Sequence, residues 1–156
     1  MADWIVEKNC AYCWVELVSP GKEGEYCVSI YTAKLPDKAV YIRLKRANFT
    51  CSQFTLETWY KGSCGYIWHD GYGKISFPSC SDWKKVRIVC YYDADLNFRI
   101  VEKYVYNETE EKWEQVSKGS VGTGEPVESE LSIGVWLPKG TGDGRIYLDS
   151  TKCYVA

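Results

Sequence analysis

A chain of 156 residues suits one domain with room for a two-layer core. A formal net charge of −2 gives no overall pull toward nucleic acid or anionic lipid. No run approaches the roughly 20 apolar residues needed to span a bilayer, and MADWIVEKNC lacks the basic start and apolar run of a secretory signal.

No segment sustains an apolar period of 3.6, and β-branched and aromatic residues dominate, so strands are predicted throughout. Tyr12 to Val18 ends at the turn signal Ser19-Pro20-Gly21. Tyr26 to Tyr31 follows, closed by Leu35-Pro36-Asp37-Lys38, then Ala39 to Leu44. Arg43, Lys45 and Arg46 form the densest basic cluster and read as a solvated strand edge. From Phe54 the chain alternates: Phe54, Leu56, Thr58 and Tyr60 point one way, Thr55, Glu57, Trp59 and Lys61 the other. Gly62 and Gly65 turn it into a short strand with Tyr66, Trp68 and His69, and Lys74 to Phe77 follows, stopped by Pro78.

Trp83 to Tyr92 has Val86, Ile88, Cys90 and Tyr92 on one side. Phe98 to Tyr106 and Lys112 to Val116 continue as a hairpin meander, and Lys118 to Glu130 reads as an exposed loop. Leu131, Ile133 and Val135 alternate with Ser132, Gly134 and Trp136 before the glycine-rich loop from Leu137 to Gly144. The last strand turns Ile146, Leu148, Cys153 and Val155 inward. Strands at this spacing predict an all-β, antiparallel two-sheet jelly-roll sandwich of about ten to twelve strands, a single domain over residues 1–156.

Eight cysteines allow 105 full pairings, so connectivity stays open. Cys10, Cys13, Cys64, Cys80 and Cys153 are the disulfide candidates, while Cys27 and Cys90 read as buried thiols. Cys10-x-x-Cys13 is a weak zinc hint, since no second such pair accompanies it. Pairing of the last strand with an early one would seat Cys153 near Cys10 or Cys13. Disulfides point to an extracellular or surface-exposed setting, or else to the interior of a hyperthermophile or its virus. The sequons at Asn48 and Asn107 are compatible with export.

Gly24-Glu25-Tyr26-Cys27-Val28-Ser29-Ile30, FTLETWYKGS at 54–63, DWKKVRIVCYYDAD at 82–95, LSIGVW at 131–136 and GRIYLDSTKCYV at 144–155 occur in that order. Together they resemble the jelly-roll carbohydrate-binding modules and the concanavalin-A-like lectin and laminin-G-type sandwiches. The resemblance implies a sandwich fold and a glycan ligand. It also implies that Asp149 helps hold a structural calcium, with Glu7 and Glu16 as the acidic residues available near the start. No other cofactor is expected.

Seven Trp and thirteen Tyr against four Phe exceed what an interior needs, and the surplus is expected at a binding surface. Flat apolar faces rimmed by hydrogen-bonding groups suit sugars, which makes Trp59, Tyr66, Trp68, His69, Tyr72 and Trp136 the candidates, with Glu57 as a polar partner. Tyr66, Trp68, His69 and Tyr72 are expected on a loop rim, Trp83 in the core, and Trp4 and Trp14 in the core or as end plugs.

A glycosidase needs two facing carboxylates. Glu128 and Glu130, or Asp93 and Asp95, have a same-face spacing but sit among turn-formers. No nucleophile elbow surrounds any Ser, and His69 is the sole histidine. A non-catalytic glycan-binding domain is therefore expected, with a glycan or glycosylated surface as partner, neither nucleic acid nor membrane insertion, and an oligomer left open. The alternative is a virion or cell-surface structural or attachment protein that uses the sandwich for assembly.

Overall fold

The computed structural model describes residues 4–155. Its strands are β1 (Trp4–Lys8), β2 (Cys13–Val18), β3 (Cys27–Ala33), β4 (Val40–Arg46), β5 (Phe54–Gly62), β6 (Gly65–His69), β7 (Gly73–Ser76), β8 (Cys80–Asp93), β9 (Phe98–Asn107), β10 (Lys112–Thr123), β11 (Ser132–Leu137) and β12 (Asp143–Val155). They form a five-stranded sheet in the order β1-β4-β11-β6-β7 and a seven-stranded sheet in the order β10-β9-β8-β5-β12-β3-β2. All pairings are antiparallel, so the molecule is an all-β two-sheet sandwich.

Period-two alternation decides which side of each strand is buried. Phe54, Leu56, Thr58 and Tyr60 of β5 meet Val86, Ile88 and Cys90 of β8 and Ile146 and Leu148 of β12 on the inner side of the larger sheet. Val40, Ile42, Leu44, Ile67, Ile75, Ile133, Val135 and Leu137 face them from the smaller sheet. A bulge between Asp149 and Lys152 adds one residue to β12, with Ser150 at a φ of 52°. The added residue flips the alternation, so that Cys153 and Val155, both exposed near the strand end, pair with the inner-face Leu56 and Phe54. Thr58, fully buried, holds the bulge through Thr151 Oγ1 at 2.7 Å and the Asp149 carbonyl.

The structure revises two expectations about strand extent and one about a cysteine contact. Residues 118–123, read as loop, continue β10 against β9 with two register shifts. Every residue of that stretch except Gly122 is exposed, so no buried face produced an apolar period there. β1, also unpredicted, pairs with β4 and is exposed at all positions but Glu7. Finally, Cys153 is far from Cys10 and Cys13. Cys13, Thr32 and Gly144 share one cross-strand row, and nine residues of β12 beyond that row place Cys153 roughly 25–30 Å away.

Candidate functional site

The inter-sheet core is filled by aliphatic residues, Phe and Tyr, and six of the seven indoles point away from it. The seventh, Trp4, is 39% exposed at the mouth of a cleft between the sheets that Leu44, Ile133 and Cys153 also line. Trp83 and Trp14, expected inside, stand outside. Trp83 shares the parity of Lys85 and Arg87, opposite the buried Val86, Ile88 and Cys90, and Trp14 pairs with Tyr31 opposite the buried Ile30.

Trp14, Trp59, Trp83 and Trp113 share the outer face of the seven-stranded sheet. The Trp14 and Tyr31 rings lie 4.4 Å apart. Arg145 stands 5.0 Å from the Tyr31 ring, and Lys61 stands 5.1 Å from both Tyr147 and Trp83. Arg87 lies 4.2 Å above Trp113, which meets Tyr106 edge-on at 5.3 Å. These residues come from seven adjacent strands, so the band crosses roughly 29 Å of sheet. Glu57 accepts a 2.6 Å bond from Arg87 Nε. Glu102 accepts from Tyr104, Tyr91 and Gln115, and the two phenol bonds hold its carboxyl below the usual range against some desolvation.

Trp59 itself is 7% exposed, with Lys22 4.7 Å over its ring and Lys85 on the same indole at 5.8 Å. Lys22 is held there because Asp149 Oδ2 accepts the backbone N–H groups of Lys22 and Glu23 at 2.7 and 2.8 Å. Burial opposes the Asp149 charge, yet bonds from the backbone of Glu23, Lys22 and Gly24 outweigh it and lower the carboxyl pKa. Asp149 is thus occupied as a loop anchor. Glu7 sits on the other sheet, 3.5 Å from both Arg43 and Lys45, and Glu16 is exposed on β2. No group of three or more His, Cys, Asp or Glu among the described residues is placed to hold a metal ion.

Tyr66, Trp68 and Trp136 come together on the opposite side of the molecule, the outer face of the five-stranded sheet. Tyr66 and Trp68 are strand residues rather than rim residues, because β6 begins at Gly65, and Trp136 lies on β11 opposite its apolar alternation. His69 and Tyr72 do not join them. His69 shares the parity of the buried Ile67 and is 1% exposed. Gly71 N–H donates to its Nδ1 at 2.9 Å, so the proton sits on Nε2, which donates to the Cys51 carbonyl at 2.6 Å. Tyr72 is 4% exposed and donates to the Ser52 carbonyl at 2.6 Å. Both rings pack on Phe54, so this pair ties a loop to the core and presents no surface to a ligand.

Cys10 and Cys13 form a disulfide, which takes that pair out of consideration for zinc; Cys64, Cys80 and Cys153 are free. Burial pushes the Cys51 thiol up to about 12 and raises Cys90 as well, so neither is a nucleophile at neutral pH. The carboxylate pairs suggested by spacing serve as structure: Glu130 bonds Lys45, and Asp93 caps a turn through the N–H groups of Asp95 and Leu96.

No family model matches the chain, and no curated protein matches it in sequence. Among solved structures it is similar to the cellulose-induced protein Cip1, with a TM-score of 0.63 over 99% of this chain and 92% of that one at 8% identity. The shared property is a fold. A functionally unknown protein from Saccharomyces cerevisiae gives 0.52 at 11% identity, covering 99% of this chain and 97% of that one. The carbohydrate-binding module TmCBM61, solved with β-1,4-galactotriose, gives 0.39 at 13% identity over 99% and 90%, too low a score to carry an argument. What the chain shares with these structures is the all-β two-sheet sandwich fold.

Proposed function

We propose that this chain is a non-catalytic glycan-binding domain whose main site is the outer face of the seven-stranded sheet. The observation that carries the reading is the band of the exposed Trp14 and the half-exposed Tyr31, Tyr147, Trp83 and Trp113, interleaved with Arg145, Lys61 and Arg87. Indole and phenol faces stack on sugar C–H groups while ammonium and guanidinium groups donate to hydroxyls. Each ring face buried gives roughly 1.5–3 kcal/mol before ordering costs, so a few contacts make a micromolar to millimolar binder. Hydrolysis is disfavoured by the carboxylates on this face. Glu57 is neutralised by Arg87, and Glu102 is held ionised by its phenols, the wrong direction for a general acid. Secretion or surface display suits both the ligand and the Cys10–Cys13 disulfide.

Affinity electrophoresis through gels containing neutral polysaccharides (galactan, xylan, hydroxyethyl cellulose) tests the proposal. At least one should retard the protein, and Trp83→Ala with Trp113→Ala should abolish the retardation while the melting temperature stays within a few degrees. Equal mobility in every gel, or retardation that the double variant keeps, would refute it.

A further inference from the structure

On the far side of the sandwich lies a depression of about 240 Å³ lined by Tyr41, Arg43, Tyr66, Trp68, Lys74 and Trp136. Its parts come from four strands in register. Arg43 pairs with Gly134, which pairs with Tyr66, while Tyr41 pairs with Trp136 and Trp68 with Lys74. Gly134 makes the depression: a Cβ there would lie 2.0 Å from the Ile42 carbonyl oxygen and 2.8 Å from Arg43 Cβ. Without it the strand backbones close up, and the floor between Arg43 and Tyr66 carries no side chain. A second depression of about 240 Å³ shares Tyr66, Lys74 and Trp136 and extends the first toward Ser76 and Pro138. The combined groove suits more than one sugar ring.

The lining carries charge of one sign only. Lys74 Nζ lies 3.5 Å from the Trp136 ring centroid, and the Arg43 guanidinium 4.9 Å from that of Tyr41. No carboxylate lines either depression. Glu7 is 3.5 Å from Arg43 Nε, but the buried Nε–H makes no hydrogen bond among the described residues, and Glu7 is shared with Lys45. Trp68 is fixed as a platform because its Nε1–H donates to Asp70 at 2.9 Å, and Asp70 is anchored in turn by Ser129 at 2.8 Å. This is a preorganised aromatic floor with two cations, one of them half-buried with its Nε–H donor unused.

We infer that this groove is a second sugar site, selective for an oligosaccharide that carries an anionic group, with Arg43 and Lys74 binding the anion while Trp136 and Trp68 stack on the rings. Its chemistry differs from that of the other face, where the cations are interleaved with Glu57 and Glu102. Carboxylated and sulfated sugars share the chemistry that this groove would recognise, and the assay distinguishes them.

Titration calorimetry with oligogalacturonate, its fully methyl-esterified form and a sulfated oligosaccharide tests the site in the intact protein. Wild type should bind one of the two acidic probes, and oligogalacturonate at least tenfold more tightly than its ester if the carboxylate is the anion recognised. Arg43→Gln with Lys74→Gln should weaken acid binding tenfold or more, and Trp136→Ala should abolish it, each with an unchanged far-ultraviolet circular dichroism spectrum and a cooperative thermal transition. Trp113→Ala, on the opposite sheet, should leave acid binding intact. Absence of acid binding up to millimolar concentration, a Gln double variant with wild-type affinity, or an ester bound as tightly as the acid in a protein that ignores the sulfated probe would overturn the inference. Loss of acid binding in Trp113→Ala would assign it to the other face and overturn it too. A failure of neutral-polysaccharide binding leaves these outcomes unchanged, so the two readings stand or fall separately.

Discussion

Replacing His69 by Phe keeps a ring in the core and removes two hydrogen bonds. Phe54 at 5.6 Å and Tyr72 at 5.3 Å would still pack against the new ring, so little cavity opens. The Cys51 carbonyl loses the His69 Nε2–H donor but keeps the Ser129 N–H at 3.0 Å, a loss of about 1 kcal/mol. Gly71 N–H, buried beside the ring, loses its acceptor, which costs about 1–3 kcal/mol. The sum is about 3 kcal/mol, a large share of a typical stability of about 5–15 kcal/mol. With a urea slope of about 2 kcal/mol/M the midpoint should fall by about 1.5 M, and glycan affinity measured under folding conditions should not change. An unchanged midpoint together with weakened glycan binding would return His69 to the ligand surface and refute the assignment.

Asp149→Ala should free the loop that holds Lys22 over Trp59, cost about 1–2 kcal/mol for two charge-assisted bonds, and make residues 20–25 protease-sensitive; an unchanged digestion pattern would count against the anchor. Because the folded-state pKa of Asp149 is lowered, its contribution is complete above the unfolded value of about 3.9 and is lost as pH falls through the lower folded value. Wild type should therefore lose more stability below about pH 4 than the Ala variant does, as followed by thermal melts. Gly134→Ala should separate β4 from β11 and lower stability by several kcal/mol, because the new methyl meets backbone rather than a movable side chain; a shift under 1 kcal/mol by urea titration would contradict the packing. Thiol titration of the denatured, unreduced protein should find six free cysteines and rise to eight after reduction; eight before reduction would remove the Cys10–Cys13 bond.

The fold was legible wherever a strand has one buried face. β5 shows it best, since Phe54, Leu56, Thr58 and Tyr60 are the residues that go inside. The same parity put Trp59 and Trp136 outside, and applied along the short strand of Tyr66, Trp68 and His69 it sends His69 inward with Ile67, opposite Tyr66 and Trp68. Trp83 was readable in the same way, because it alternates in step with Lys85 and Arg87. β1 and the second half of β10 were invisible because almost nothing in them is buried, and their pairing rests on backbone bonds that leave no mark on side-chain order. The aromatic band was not legible as a band. Trp113 meets Arg87 only through the registers β8–β9 and β9–β10, and alternation within a single strand does not reveal how neighbouring strands are aligned.

That so much tryptophan lies on the outer faces makes the molecule an optical reporter of its own exterior. Its emission should respond to whatever settles on either sheet, while unfolding should red-shift Trp59, at 7% exposure, most and the half-buried Trp68, Trp83, Trp113 and Trp136 less. A Trp59→Phe variant should therefore show a smaller red shift on denaturation and keep its response to ligand, which helps separate in one cuvette two events that most proteins confound.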